Sequence, residues 1–239
     1  MSREAPRTAE FDSHAENYDA GLARGLAVSG EGKAYYARGR ILWLNRRLLE
    51  LGLQSGSGPP GRVLDFGCGD GFSTPLLREV LGAASVTGVD VSTRLLEVAR
   101  ARNRDPAINF ARLDTWLEEA SFDLAFTNGV FHHIRPAQRG EALGRVFRAL
   151  RQGGIFAFWE NNPWNPGTRL VMHRIPFDRD AILIGPPLGR RLLREAGFEL
   201  LSTDTAFYFP RFLRWLRPLE PALSRLPLGA QYLVLARRP

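Results

Sequence analysis

The sequence predicts an α/β protein whose core is a sheet of mainly parallel strands. From residue 62 to residue 160, short runs rich in β-branched and aromatic residues alternate with longer runs of helical periodicity. This alternation is typical of βαβ units. A glycine-rich turn, GCGDG, directly follows the first short run, as is common where a buried strand leads into a helix. We therefore expect a doubly wound fold.

The part of the chain before this alternation is predicted to be helical. Ser13 and Glu16 have the spacing of a capping box, and the run AYYARGRILWLNRRLLELGL, residues 34–53, has apolar residues at helical spacing. The Gly, Ser and Pro residues of QSGSGPPG then interrupt any regular element. We expect a helical cap or lid over residues 1–56 and the α/β core over residues 57–239.

The elements of the core follow from the local pattern. The predicted strands are RVLDF, SVTGVDV, INFARL, FDLAFTNGV and GIFAFWE, in that order. The helices between them are FSTPLLREVLGA, TRLLEVARARN and PAQRGEALGRVFRALRQ, each with apolar residues at helical spacing. A further helix, LGRRLLREAGF, and two further strands, ELLSTDTAFYF and AQYLVLARR, complete the pattern.

Two segments fall outside this regular pattern. Residues 161–188 are rich in Pro and Asn, so we expect a loop over the functional site with no regular element. Residues 210–229 place Arg211, Arg214 and Arg217 among aromatic residues. We expect this segment to be a C-terminal lid, which either packs on the sheet edge or makes peripheral contact with an anionic membrane.

Composition sets the broad class of protein. The chain has 239 residues, of which 44% are hydrophobic, and this suits one domain with a modest cap. Cys68 is the only cysteine, and no run approaches the ~18 apolar residues of a membrane span, so we expect a cytoplasmic protein. The net charge of +7 comes from arginines scattered along the chain, which does not favour a nucleic-acid surface.

The first predicted strand ends in the pattern Asp65-x-Gly67-x-Gly69-x-Gly71, and a helix follows. Glycine tolerates positive φ and lets a ligand approach the backbone, while the start of the helix offers free N–H groups. Phe72 occupies the position of the third glycine in the dinucleotide-binding motif G-x-G-x-x-G, so the chain does not match that motif. A carboxylate at Asp65 can hold the ammonium group of an amino-acid-like ligand.

Acidic residues also end the next two strands. Asp90 follows the second strand, where a carboxylate can accept hydrogen bonds from two ribose hydroxyls. Asp114 follows the third strand and can accept from an adenine amino group, while the backbone N–H of Thr115 meets the ring. Acidic residues at successive strand ends predict a site for a nucleotide-like ligand.

At these residues the chain resembles the class I S-adenosylmethionine-dependent methyltransferases, in particular those that act on small molecules. VLDFGCGDG is similar to their first motif, FDLAFTNGVFHHI to their fourth-strand motif and LRQGGIFAFWE to their fifth strand. The resemblance covers the chain from about Phe11 onward. It implies a Rossmann-like, doubly wound sheet of seven strands with the last strand antiparallel, and S-adenosylmethionine bound across the carboxyl ends of the first strands.

The resemblance also implies which residues bind the cofactor. Tyr18 would fold over the methionine end of the cofactor, or else pack in the core, and Arg40 would pair with the cofactor carboxylate, or else stay solvated. The other cofactor-binding residues implied are Asp65, Gly67, Cys68, Gly69, Gly71, Asp90, Val91, Asp114, Thr115, Asn128 and Val130.

A small-molecule acceptor is favoured over a nucleic-acid base. Methyltransferases that act on base amino groups resemble one another in an Asn/Asp-Pro-Pro-aromatic motif after the fourth strand, where this chain reads Asn128-Gly129-Val130-Phe131. We expect methyl transfer to oxygen, with carbon or nitrogen as alternatives. Two other functions stay open, a nucleic-acid methyltransferase and a protein that binds the cofactor without transferring its methyl group.

His132 and His133 follow the fourth strand, so we expect them beside the reactive methyl group. A neutral imidazole suits a general base, and His132 is the preferred candidate, with Tyr18 as a further catalytic residue. Adjacent residues on one turn face different ways, so at most one histidine is expected to face the acceptor, and either can instead bond to backbone. We predict no metal, because no carboxylate or further histidine lies at ligand spacing.

The remaining acceptor-binding candidates lie on the second predicted helix and after the fifth strand. Trp159 and Trp164 are expected to wall a pocket for a planar or apolar acceptor, or else to be buried beneath a rigid loop. The arginine excess would suit an anionic or lipid-linked acceptor. The predicted acceptor-binding residues are Tyr36, Trp159, Glu160, Asn161, Trp164 and His173.

Overall fold

The computed structural model describes residues 18–53, 59–117, 119–178 and 181–239. The predicted capping box at Ser13 and Glu16 lies outside these ranges. The helices are α1 Tyr18–Leu26, α2 Lys33–Glu50, α3 Thr74–Leu81, α4 Thr93–Arg102, α5 Pro136–Ala149, α6 Pro166–Arg174, α7 Pro186–Glu195 and α8 Glu220–Leu223. Short 3₁₀ segments cover Ala27–Ser29, Phe131–His133, Pro176–Asp178 and Arg211–Leu219.

A sheet of seven strands forms the centre of the molecule. The strands are β1 Arg62–Phe66, β2 Ser85–Asp90, β3 Ile108–Arg112, β4 Phe122–Asn128, β5 Leu150–Asn161, β6 Glu199–Ala206 and β7 Gln231–Arg237. Their order is β3-β2-β1-β4-β5-β7-β6, and β7 runs antiparallel to both of its neighbours. The predicted seven-stranded sheet with an antiparallel last strand is therefore confirmed. The strand order reverses between β1 and β4, where open α/β sheets form a binding crevice.

Helix α2 belongs to the core layer on one face of the sheet. It buries Ala37, Ile41, Leu44 and Leu48, a stripe at helical spacing, against sheet residues such as Val63. The helix therefore packs as the sequence periodicity predicts. The division into a cap over 1–56 and a core over 57–239 stays a prediction.

Helices α5 and α7 cover the opposite face. Leu143 and Val146 of α5 and Leu193 of α7 join one apolar cluster with Phe66 and Phe156 of the sheet. Both faces of the central strands are thus buried, which explains why those strands read as nearly continuous apolar runs.

The prediction that residues 161–188 contain no regular element is wrong. Helix α6 lies within this segment, and the Asn165 side chain caps it by accepting a hydrogen bond from the N–H of Thr168 at 2.9 Å. Pro166 occupies the first turn, where its missing N–H costs nothing. Asn165 and Pro166 thus mark the start of a helix and do not form part of a rigid loop.

The segment 210–229 is tied to the end of β6. The carboxylate of Glu220 accepts hydrogen bonds from the N–H groups of Phe207, Tyr208 and Phe209 at 3.1–3.2 Å. Phe212 and Trp215 are 77% and 71% exposed, so this lid presents aromatic side chains to its surroundings. Membrane contact by this surface stays a prediction. No helix in the described part of the chain is both long enough and apolar enough to span a bilayer.

Candidate active site

A cavity of about 470 Å³ lies at the carboxyl ends of β1, β4 and β5. Its size is in the range of small-molecule sites. One wall is the glycine-rich turn after β1, and the opposite wall consists of apolar residues of α1, α6 and the segment after β6. The apolar lining includes Leu22, Leu26, Val171, Met172, Ile175, Phe177, Phe207 and Phe212.

The glycine-rich turn is shaped by backbone conformations that glycine favours. Gly67, Gly69 and Gly71 all have positive φ, between 54° and 75°. A Cβ on Gly67 would lie 2.3 Å from Cγ2 of Val130, whereas Gly69 faces open space. The turn therefore brings bare backbone to the cavity edge, as the predicted cofactor site requires.

Asp65 places a buried carboxyl group in the cavity wall. The residue is 3% exposed, and Thr74 Oγ1 donates a hydrogen bond to its Oδ2 at 2.7 Å. Burial raises the pKa of Asp65 to about 7, and the nearby carboxylates of Asp90 and Asp70 add to the rise. A buried carboxyl group without a cationic partner among its hydrogen-bond contacts fits the ammonium group of S-adenosylmethionine.

Asp90 is bound to the glycine-rich turn. Its two carboxylate oxygens accept hydrogen bonds from the N–H groups of Gly69 and Ser92, both at 2.9 Å. Asp114 is exposed, and Arg112 Nε donates to it at 3.0 Å. Neither carboxylate is on the cavity wall described above, nor are Val91 and Thr115. Their predicted contacts with ribose and adenine stay predictions.

The end of β4 offers a polar atom without a partner. Oδ1 of Asn128 is buried and has no hydrogen-bond partner among the described residues, and Asn128 lines the cavity. Buried polar atoms are nearly always satisfied, so a donor from a ligand is expected here. With the glycine-rich turn and Asp65, this wall fits S-adenosylmethionine.

Arg40 and Tyr36 also lie on the cavity wall. Arg40 is 7% exposed and donates from Nη1 to Oε1 of Gln231 at 2.9 Å, so it is not the solvated arginine considered above. Tyr36 packs edge-on against Phe207, and burial raises its pKa. The side chain of Tyr18 lies outside the described part of the structure, so its two predicted roles stay predictions.

Four side chains form a histidine–carboxylate cluster at the other end of the cavity: His132, His133, Glu160 and Asp178. His132 Nδ1 donates to Glu160 Oε2 at 2.6 Å. Asp178 Oδ1 lies 3.2 Å from His133 Nε2 and 3.6 Å from His132 Nε2. Both histidines line the cavity, and the prediction that at most one of them faces the acceptor stays a prediction. The expected lack of a nearby carboxylate is wrong, because Asp178 approaches from the segment after α6.

The charges in this cluster determine its protonation. Burial alone lowers the pKa of His132, but the carboxylates of Glu160 and Asp178 outweigh this effect and raise the pKa to about 10. Burial and the charge of His132 lower the pKa of His133. Burial raises the pKa of Asp178, yet the two histidines bring it down to about 2. His132 is thus cationic at neutral pH, with both ring nitrogens protonated. This opposes its assignment as a free general base.

Buried Arg139 holds the turn that carries both histidines. Its Nε donates to the carbonyl oxygens of Phe131 and Ile134 at 3.1 and 3.0 Å. The N–H of Phe131 in turn donates to Glu160 Oε1 at 2.8 Å. Sequence reasoning missed Arg139 and Asp178, and the sequence offered no signal for Asp178, which lies in a stretch without periodicity.

The predicted acceptor-binding residues divide into two groups. Tyr36 and Asn161 line the cavity, whereas the side chains of Glu160, Trp159, Trp164 and His173 are not part of its wall. Trp159 is fully buried in the apolar cluster beneath α2, because β5 is covered on both faces. Trp164 is 51% exposed and His173 is exposed. The expected tryptophan-walled pocket is not formed.

Comparison with known proteins agrees with this geometry. A family model described as a methyltransferase domain matches residues 63–154. A trans-aconitate 2-methyltransferase of Methylobacterium radiotolerans is 34% identical over 153 residues, which cover 62% of this chain and 58% of that protein. The corresponding protein of Escherichia coli is 28% identical, with coverages of 73% and 74%. The chain spans less than two thirds of the length of the first curated relatives that it matches.

Solved structures show the same fold. An S-adenosylmethionine-dependent methyltransferase from Mesorhizobium loti superposes with a TM-score of 0.57 at 25% identity, covering 80% of this chain and 96% of that one. A Haemonchus contortus phosphoethanolamine N-methyltransferase in complex with S-adenosyl-L-methionine gives a TM-score of 0.62 at 18% identity, with coverages of 100% and 61%.

Proposed function

We propose that the chain is a class I S-adenosylmethionine-dependent methyltransferase, which transfers a methyl group from S-adenosylmethionine to a small-molecule acceptor. The observation that carries the proposal is the cavity itself. It joins a wall suited to the cofactor, formed by Asp65, the glycine-rich turn and Asn128, to an apolar end that also holds the histidine–carboxylate cluster.

Different residues of this chain are assigned to different groups of the cofactor. We assign Asp65 to the ammonium group, Arg40 to the carboxylate and Asp90 to the ribose, with Asp114 and Thr115 at the adenine. We also assign backbone atoms of Asn128 and Val130 to the cofactor. When bound, S-adenosylmethionine supplies a methyl group on a sulfonium, which is already electrophilic, so the protein must chiefly align the acceptor.

The acceptor end of the cavity favours an apolar molecule with few negative charges. Among the described residues on the wall, the cationic side chains are those of Lys33, Arg40 and protonated His132, and His132 already lies beside the carboxylates of Glu160 and Asp178. Lys33 Nζ already donates to Asp19 and Asp70 at 2.7 Å, and Arg40 donates to Gln231. Trans-aconitate, named for the relatives, carries three carboxylates and would find few cations here. We therefore propose an acceptor with an apolar body and one reactive hydroxyl.

Proton removal from that hydroxyl belongs to the histidine–carboxylate cluster. His132 on its own is not the base predicted from the sequence, because its raised pKa keeps it protonated at neutral pH.

Two measurements test the proposal. Calorimetric titration with S-adenosylmethionine should show binding, and S-adenosylhomocysteine should then form with acceptors from a panel of uncharged phenols and enols. Trans-aconitate serves as the comparison acceptor and should react more slowly. Binding without product from any acceptor would instead identify a cofactor-binding protein. Activity confined to nucleic acid, with affinity falling steeply as salt rises, would overturn the small-molecule assignment.

A further inference from the structure

The histidine–carboxylate cluster contains a set of metal-ligand atoms. His132, His133 and Asp178 each offer one ligand atom, and these atoms all lie within 4.8 Å of one another. Two imidazoles and one carboxylate, with room for a further ligand, are typical of zinc and related transition metals in proteins. Magnesium and calcium prefer all-oxygen sites, so the donor set disfavours them.

Two of the distances between these atoms match one metal centre. Ligand atoms ~2.0–2.1 Å from a tetrahedral ion lie about 3.3 Å from each other. Asp178 Oδ1 is 3.2 Å from His133 Nε2 and 3.6 Å from His132 Nε2. A single ion can therefore contact all three residues after small movements of their side chains.

The surroundings of His132 also suit a metal ligand. Glu160 accepts the hydrogen bond from His132 Nδ1, which leaves Nε2 as the ring nitrogen on the side of Asp178. Nε2 is buried and lacks a hydrogen-bond partner among the described residues, and the His132 side chain is only 2% exposed. A carboxylate behind a histidine in this way orients metal-bound imidazoles.

We propose that His132, His133 and Asp178 bind a divalent transition metal of the zinc type, which displaces the proton from Nε2 of His132, with Glu160 as the orienting carboxylate. These residues would hold the ion beside the acceptor end of the cavity, where it would supply a Lewis acid that lowers the pKa of an acceptor hydroxyl, and the proton of that hydroxyl would pass to solvent. The role in catalysis rests on the proposed function, whereas metal binding does not.

The test is calorimetric titration of the full chain with Zn²⁺ after treatment with EDTA and dialysis. One ion should bind per chain, and Mg²⁺ should give no binding. His133→Ala and Asp178→Asn should each weaken Zn²⁺ binding by more than the roughly 10- to 100-fold loss expected for Glu160→Gln. His133→Ala is the most informative variant, since its partly exposed side chain allows truncation without opening the core.

Two control variants separate this site from other Zn²⁺ donors. His173→Ala removes an exposed histidine away from the cavity, and Cys68→Ala removes the thiol on the cavity wall. Both should bind Zn²⁺ like the original chain. No Zn²⁺ binding, binding unchanged in His133→Ala and Asp178→Asn, or loss of binding in Cys68→Ala would each overturn the site.

S-adenosylmethionine titrated into the same metal-free protein keeps the two proposals apart. Cofactor binding with no Zn²⁺ binding would reject the metal site alone. Zn²⁺ binding with no cofactor binding would reject the proposed function and leave the metal site intact.

Discussion

Replacement of Asp65 by Asn should stabilise the protein while weakening its hold on the cofactor. Asp65 is 3% exposed, and burial raises the pKa of its carboxyl group to about 7. The Asn side chain has nearly the same shape and keeps an oxygen that can accept the hydrogen bond from Thr74. The substitution therefore removes an ionisable group without leaving a cavity.

The pKa of Asp65 sets the size and sign of the effect. An unfolded chain loses this proton near pH 3.8, whereas the folded protein keeps it until about pH 7. The stability of the original chain should therefore fall as pH rises from 4 to 7. A rise of about three pKa units corresponds to about 4 kcal/mol, or on the order of 10 °C in Tm for a chain of this size, and this is an upper value.

Thermal unfolding of both proteins between pH 4.5 and 8.5, without cofactor, measures the effect. The Tm of Asp65→Asn should exceed that of the original chain most above pH 7, and the gap should close toward pH 4. Titration with S-adenosylmethionine should show weaker binding by Asp65→Asn, because Asn cannot pair with an ammonium group.

Asp123→Asn is the matched control with the opposite sign. Asp123 accepts a hydrogen bond from the N–H of Arg62 at 2.7 Å and pairs with Arg151. Partial burial raises the pKa of Asp123, but these two contacts outweigh burial and lower the pKa overall. That variant should be less stable than the original chain at neutral pH and should approach it in acid. A Tm gap for Asp65→Asn that stays flat with pH, or a lower Tm at pH 8, would refute the reasoning.

The remaining predictions concern the glycine-rich turn and the residue bound to it. Asp90→Ala should weaken S-adenosylmethionine binding at least tenfold, roughly the 1.4 kcal/mol of one charge-assisted contact, and unaltered affinity in calorimetry would remove Asp90 from the ribose site. Gly67→Ala should lower the free energy of unfolding in urea by more than the ~1–2 kcal/mol of left-handed strain, because its Cβ would lie 2.3 Å from Val130. Gly52→Ala, with a similar φ but open space around it, should cost only that strain; equal losses in the two variants would contradict the steric argument.

Much of the fold was predictable because the signals are local. The apolar residues Val63, Leu64 and Phe66 and three glycines predict strand β1, the turn after it and the helix that follows. Positive φ at Gly67 and Gly69 is a property of single residues, and the periodicity of α2 is a property of one helix. Helix α6 was missed although its start was encoded locally, because Asn165 and Pro166 were interpreted as loop residues rather than as a cap.

The site was predictable only where it is made of one continuous segment. His132 and His133 line the cavity, since they directly follow β4, and their position beside the methyl group stays a prediction. Trp159 was expected at the cavity, but it is buried in the core. Its side chain points from β5 into the apolar cluster beneath α2, because both faces of β5 are covered. That direction depends on sheet register and on α2, which packs against it from elsewhere in the chain.

The sequence by itself determined the order of the strands, the glycine-rich turn and the acidic residues at the strand ends, because periodicity and backbone conformation depend on neighbouring residues. Only the tertiary structure decided the protonation of His132 and the ligand set around it. Those depend on Glu160 from β5 and Asp178 from the segment after α6, which the fold brings to within 2.6 and 3.6 Å of one imidazole. Electrostatic interaction acts through distance in space, and residues far apart in sequence acquire that distance only when the chain is packed.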